Sequence, residues 1–109
     1  MRLNIHGQGL AIDAAVRGRV ERRLGFALGR FGGRVVRVAV HLADVNGPRG
    51  GVDKRCRVVA DLPGHPAVVV EEADADRNAL IDRAADRVGH ALRRRLDRAR
   101  LDADYVGRN

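Results

Sequence analysis

Arginine side chains are the chemically active groups that recur most often in this 109-residue sequence. Lys54 is the one lysine among 21 basic residues, which outnumber 14 acidic residues and leave a formal net charge of +7. A guanidinium group is planar and donates two parallel hydrogen bonds to one phosphate. The composition therefore favours an acidic partner, with nucleic acid first and an anionic membrane surface second.

The placement of the arginines is more informative than their number. Apolar residues at helical spacing predict a final helix over about residues 76–101. About 100° of rotation per residue divides its charges between two flanks. Like charges four residues apart destabilise an isolated helix by roughly a few tenths of a kcal/mol, so solubility alone does not explain a basic flank. The basic flank holds Arg83, Arg87, His90, Arg94 and Arg98, and the mixed flank holds Asp82, Asp86, Arg93, Asp97 and Arg100.

A first helix, predicted to begin after Asp13, also carries arginines outside its apolar face. Side by side, the two helices would present two arginine stripes on one shared surface suited to RNA phosphates. Acidic residues concentrate elsewhere, since residues 61–76 contain five acids and no lysine or arginine. The predicted RNA-contacting residues are Arg19, Arg22, Arg23, Arg30, Arg83, Arg87, His90, Arg93, Arg94 and Arg98.

Three glycines also lie outside the apolar face of the first helix: Gly18, Gly25 and Gly29. Glycine in a helix interior destabilises it by ~1 kcal/mol relative to alanine. Two explanations stay open, namely close backbone approach of RNA or another chain, and codon bias at a tolerant surface.

Other kinds of site find little support. Cys56 is the only cysteine, which excludes an intrachain disulfide and a cysteine-based zinc cluster. The four histidines lack metal-ligand spacing and no Ser/His/Asp set stands out, so we expect no enzyme, metal, cofactor or small-molecule substrate. The glycine-rich residues 47–54 lack the ending of a phosphate-binding loop and predict a mobile hairpin with Arg49 at its tip. The few aromatic residues, Phe26, Phe31 and Tyr105, disfavour a base-stacking platform.

The remaining patterns predict the elements that position these residues. Alternation predicts four strands and helical spacing predicts two helices, in the order β-α-β-β-β-α. Because only one face of each strand is apolar, we expect an α+β fold in which a four-stranded sheet carries both helices packed on one face. We expect a single domain over 1–101 and a flexible tail over 102–109.

The predicted core follows from the same patterns. The first helix, ended by Gly32 and Gly33, buries Val16, Val20, Leu24, Ala27 and Phe31, and the fourth strand covers about residues 67–71. The inward strand residues are expected to be Leu3, Ile5, Val36, Val38, Val40, Leu42, Cys56, Val58, Ala60 and Leu62. The final helix is expected to bury Ile81, Ala84, Ala85, Val88, Leu92, Leu96 and Ala99.

Four segments give the chain a resemblance to a known family. They are Met-Arg-Leu-Asn-Ile-His-Gly at 1–7, Val-Glu-Arg-Arg-Leu at 20–24, Val-Arg-Val-Ala-Val-His-Leu at 36–42 and Ile-Asp-Arg-Ala-Ala-Asp-Arg-Val at 81–88. Over about residues 1–100 the chain resembles the ribosome hibernation promoting factor / ribosome-associated inhibitor family, in a short form. The resemblance implies the same β-α-β-β-β-α fold. It also implies binding to the small ribosomal subunit, in the channel for mRNA and tRNA, where basic helix residues contact ribosomal RNA and silence idle ribosomes.

The resemblance carries over by position to six arginines of the predicted set: Arg22, Arg23, Arg30, Arg87, Arg93 and Arg94. Two departures lower our expectations. The family often has a basic residue at the position of Leu96, followed here by the acid Asp97. Long members also carry a further domain that dimerises ribosomes, and this sequence ends before one. The resemblance therefore does not imply ribosome-pairing activity of its own, and we expect a lower affinity than in better-known members.

Two hypotheses from different classes follow. The first is a non-enzymatic, cytoplasmic factor that binds ribosomal RNA of the small subunit and blocks the mRNA and tRNA channel. No membrane partner is expected, because no apolar run approaches the ~20 residues that span a bilayer and no signal peptide precedes the first strand. The alternative is a homodimeric interaction module that uses the glycine-bearing first helix or the outward sheet face: Arg2, Asn4, His6, Arg37, His41 and Arg57.

Overall fold

A computed structural model describes residues 1–45 and 52–107, with side chains described as far as residue 101. It confirms the predicted element order and the α+β class. The elements are β1 (Arg2–Gln8), α1 (Ala14–Leu28), a 3₁₀ turn (Gly29–Arg34), β2 (Arg37–Asp44), β3 (Lys54–Asp61), β4 (Val68–Asp74) and α2 (Arg77–Gly107). The predicted hairpin tip at residues 46–51 lies outside the described residues.

The sheet is mixed, with strand order β1-β2-β3-β4. β1 pairs with β2 in parallel, and β2–β3 and β3–β4 are antiparallel. A parallel pair needs a crossover connection, and α1 supplies it. The apolar sides of the strands and helices form one buried cluster, so α1 and α2 cover one face of the sheet and leave the other exposed.

α1 begins after Asp13 as the sequence predicts, but it ends at Leu28 rather than at Gly32 and Gly33. The carboxylate of Asp13 accepts a hydrogen bond from the backbone N–H of Val16 at 2.9 Å, which satisfies a helix N-terminal donor. After Leu28 the chain tightens into the 3₁₀ turn, where Gly32 has a φ of 57° that favours glycine. The five predicted core residues of this segment are all buried.

One predicted strand residue is wrong. Val36 is 48% exposed, whereas its neighbour Val35 is 1% exposed. The pleat of β2 begins only at Arg37, so alternation does not hold at Val36. Val35 follows the 3₁₀ turn directly and packs into the core before the strand begins.

Two elements that border the arginines, β4 and α2, are longer than the sequence predicts, and both differences affect the surface. β4 runs to Asp74 rather than to Glu71. The α2 backbone continues to Gly107, so the predicted tail over 102–109 is helical as far as that residue, and residues 108–109 lie outside the described part. On α2 the predicted core is buried as far as Leu92, Leu96 is partly buried, and Leu80 joins the core unpredicted.

Candidate nucleic-acid interface

Two predicted RNA-contacting arginines meet at the junction between α1 and α2. Arg19 donates two hydrogen bonds to the Asp82 carboxylate, from Nε to Oδ1 at 2.9 Å and from Nη2 to Oδ2 at 2.7 Å. Arg23 pairs with the same carboxylate, with Nε 3.0 Å from Oδ1. The hydrogen bond from Arg19, reinforced by both positive charges, lowers the pKa of Asp82. These two arginines therefore join the helices, and one acid offsets only part of their charge.

Two further predicted arginines meet the acidic end of β4. Arg87 Nη1 donates to Glu72 Oε1 at 2.9 Å and to the Glu71 carbonyl at 3.0 Å. Arg83 bonds to the Asp74 carboxylate, and its Nη1 lies 3.6 Å from Glu72 Oε2. A hydrogen bond from the Asp76 backbone N–H lowers the pKa of Asp74, and Arg83 lowers it further. Two acids here neutralise two arginines.

The two arginine stripes do not form one shared surface along their whole length. On α2, Asp82 points toward α1, whereas Arg83 and Arg87 point toward β4. Residues adjacent in a helix differ by about 100° in direction, so these contacts lie on opposite flanks of α2. We call Arg19, Arg23, Arg83 and Arg87 the clamped set, because carboxylates of the same chain hold them.

The other predicted residues are differently placed. No described carboxylate pairs with the five residues that we call the open set: Arg22, Arg30, His90, Arg94 and Arg98. All five are exposed. Arg93 belongs to neither set, because its Nε lies a long 3.9 Å from Asp97 Oδ2. Arg94 and Arg98 line a groove of about 180 Å³ beside β4. The open set keeps its hydrogen-bond donors available to phosphates.

Phe26, which was not among the predicted RNA-contacting residues, is 84% exposed on α1. Its position about 130° from the centre of the α1 apolar stripe was the available signal. Gly25 and Gly29 are also exposed, and a Cβ added at either residue would meet nothing within 4 Å. The outer part of α1 therefore combines an aromatic ring, open backbone and basic side chains.

Comparison with known proteins agrees with these features. The sequence profile described as "Sigma 54 modulation protein / S30EA ribosomal protein" matches residues 3–100. The chain belongs to this family. The resemblance to ribosome hibernation factors is thereby confirmed, and the family is in general non-enzymatic.

Solved structures support the assignment of this S30EA family member. The Thermus thermophilus Protein Y N-terminal domain is 35% identical, with a TM-score of 0.72 over 86% of this chain and 98% of that chain. A ribosomal subunit interface protein from Coxiella burnetii is 17% identical, with a TM-score of 0.72 over 89% of this chain and 99% of that chain, and it supports the fold alone. No curated protein sequence matches significantly.

The alternative hypothesis predicts that two copies of the chain associate through the exposed sheet face of the S30EA family member. Its six predicted residues are all exposed, and the His6 and His41 rings stack with centroids 5.2 Å apart. Arg57 lies next to His41 across the β2–β3 pair, 3.8 Å from Glu71. Self-association through this face stays a prediction.

Cys56 offers no reactive group, because burial raises the pKa of its thiol to about 12. Within residues 1–45 and 52–101, no group of His, Cys, Asp and Glu side chains could hold a metal ion. Across the same part of the chain, no helix is long and apolar enough to cross a membrane.

Proposed function

We propose that this chain is a ribosome-associated factor that binds the small ribosomal subunit through ribosomal RNA phosphates and blocks the mRNA and tRNA channel. Membership of the S30EA family supports ribosome association and the cytoplasmic location that comes with it. The similar Protein Y N-terminal domain supports membership of the same family, and the subunit interface protein supports its fold. The observation that carries the RNA contact is the open set, whose arginines lie exposed on α1, the 3₁₀ turn and α2 without a described carboxylate partner.

The action is occupancy rather than catalysis. Each free guanidinium pairs with a phosphate and releases counterions from the RNA, so affinity falls steeply as salt rises. Arg19 and Arg23 add a surplus positive charge, since Asp82 is their one described carboxylate partner. Arg83 and Arg87 add little, because Glu72 and Asp74 offset them. A bound domain excludes other ligands from the space that it fills.

Co-sedimentation with purified small ribosomal subunits at low and high salt tests this proposal. We expect binding at low salt, and a log–log salt slope that falls by about one unit for each phosphate contact removed. Arg94→Glu/Arg98→Glu should fold normally and bind poorly. Arg17→Glu/Arg34→Glu, which changes the same charge at exposed positions outside both arginine sets, should bind like the wild type. Absence of binding at low salt would overturn the proposal.

A further inference from the structure

Phe26 has no structural reason to be aromatic. At 84% exposure it contributes little to the core, and an isolated exposed phenylalanine is tolerated rather than favoured in a soluble surface. The nearby Phe31 shows the contrast, because it is 8% exposed and the Arg30 guanidinium lies 5.8 Å from its ring centroid. No ring or cation contact covers Phe26 among the described residues. Its two faces are open.

The surroundings of Phe26 on α1 are basic. Residues three and four positions away are its neighbours: Arg22 and Arg23 in α1, and Gly29 and Arg30 in the 3₁₀ turn that follows. Arg23 is held by Asp82. The Arg22 guanidinium extends toward the preceding turn, with Nη1 3.1 Å from the position of a Cβ at Gly18. Arg22 therefore lies along the helix and leaves the ring uncovered.

The glycines on this surface give a flat ligand access to the ring. A Cβ at Gly25 or at Gly29 would have open space around it, so no side chain covers the backbone at these two positions beside Phe26. Glycine allows such close approach of a ligand to the backbone. The glycines whose role the sequence left open thus border the exposed ring.

We propose that Phe26 stacks on an unpaired base of ribosomal RNA while Arg22 and Arg30 bind the flanking phosphates. The inference rests on the proposed function and adds to it a nucleobase site. Charge complementarity selects RNA over an apolar protein pocket, because a pocket of that kind would have to desolvate the surrounding guanidinium groups. Stacking of a base on an aromatic ring accepts any base, since every base has a π-face.

Four substitutions at Phe26 separate stacking from general apolar contact. Phe26→Ala should weaken small-subunit binding by about 5-fold to 100-fold, which is the value of one base–aromatic stack. Phe26→Tyr and Phe26→Trp keep a ring and should bind within about 2-fold of the wild type. Phe26→Leu keeps apolar area without a ring and should bind like Phe26→Ala. Val36→Ala is the matched control, because Val36 is 48% exposed and lies outside both helices.

Tryptophan fluorescence gives a direct readout, because the chain contains no tryptophan. The single indole of Phe26→Trp should be quenched on adding small subunits, as expected when an indole stacks on a base. The same variant with Arg94→Glu/Arg98→Glu should need more subunits for equal quenching. Melting temperatures should be unchanged throughout, since the ring is exposed.

The outcomes distinguish this inference from the proposed function. Wild-type binding together with unaffected binding by Phe26→Ala overturns the stacking site and leaves the function standing. Full binding by Phe26→Leu also overturns it, in favour of apolar contact with a ribosomal protein. Absence of wild-type binding overturns both.

Discussion

Most members of the open and clamped sets are arginines on the same two helices, yet only the open set is available to a ligand. Arg94 and Arg87 illustrate the difference, since they lie about 20° apart around α2. Arg87 bonds to Glu72 and to a β4 carbonyl, whereas Arg94 lies beside Val68 and Val69 at the apolar start of the strand. Helix direction alone therefore does not decide which arginine can bind RNA. The neighbouring strand decides it.

The largest effect on small-subunit affinity should come from neutralising two arginines of the open set, compared with two arginines of the clamped set. Arg22→Gln/Arg94→Gln should reduce small-subunit affinity by about 10-fold or more and lower the salt slope by about two. Arg83→Gln/Arg87→Gln removes the same charge and should reduce affinity by less than about 3-fold, since nearby acids already offset it. Thermal unfolding should show the reverse order, because Arg83→Gln/Arg87→Gln should lower the melting temperature more than Arg22→Gln/Arg94→Gln.

Equal losses of affinity in the two double variants would contradict this distinction. They would show that Arg83 and Arg87 leave β4 when RNA binds. Circular dichroism should first confirm that both variants retain their helices.

The second effect is a gain of binding. Glu72→Gln/Asp74→Asn removes the carboxylates that hold Arg83 and Arg87, so these arginines should become available to phosphates. We expect affinity for small subunits to rise by roughly 3-fold to 10-fold and the salt slope to steepen. Asp61→Asn/Glu71→Gln removes two acids from the edge of the opposite face and should produce a smaller gain. A gain of equal size would mean that net charge alone governs binding.

The sequence predicts the core of this molecule better than its surface. Alternation and helical spacing place Leu24, Val58 and Val88 correctly, because burial of apolar area depends on local periodicity. The sequence also shows the cluster of acids in residues 61–76, but it does not show which arginines pair with them. Glu72 and Asp74 continue the inward alternation of Val68 and Val70, and this places them against α2 only because β4 is longer than predicted.

For the candidate interface too, the sequence predicts which residues are exposed but not which residues they contact. A helical wheel places Arg22 and Arg94 on exposed faces, and both are exposed. It cannot show that Asp82 would serve as a partner for α1, because that contact joins residues 63 positions apart in the chain. Packing of α1 against α2 brings them together. Gly89 marks this close approach, since a Cβ there would lie 3.1 Å from the Ala27 carbonyl oxygen.

The third prediction concerns stability at the α1–α2 junction. Asp82→Asn leaves Arg19 and Arg23 close together without their acid. We expect the free energy of unfolding to fall by about 1 kcal/mol, the upper end for a partly exposed ion pair, in urea denaturation at neutral pH. Asp86→Asn, one turn further along α2 and exposed, should change stability little. A similar loss in both variants would assign the effect to helix charge rather than to the junction.

The smallest expected effect is the pH dependence of stability that arises from the ion pairs of Asp82 and Asp74. The pKa values of Asp82 and Asp74 are both lowered in the folded protein, so the unfolded chain takes up protons first as pH falls. Their contribution to stability is therefore complete above the unfolded pKa of about 4 and is lost as pH falls through the lower folded values. Urea denaturation at successive pH values should show stability decreasing below about pH 4, and the decrease should be shallower in Asp82→Asn. An unchanged slope in that variant would contradict the ion-paired state of Asp82. Because guanidinium groups stay protonated throughout this range, acid should weaken these ion pairs without changing the charge of the four open-set arginines.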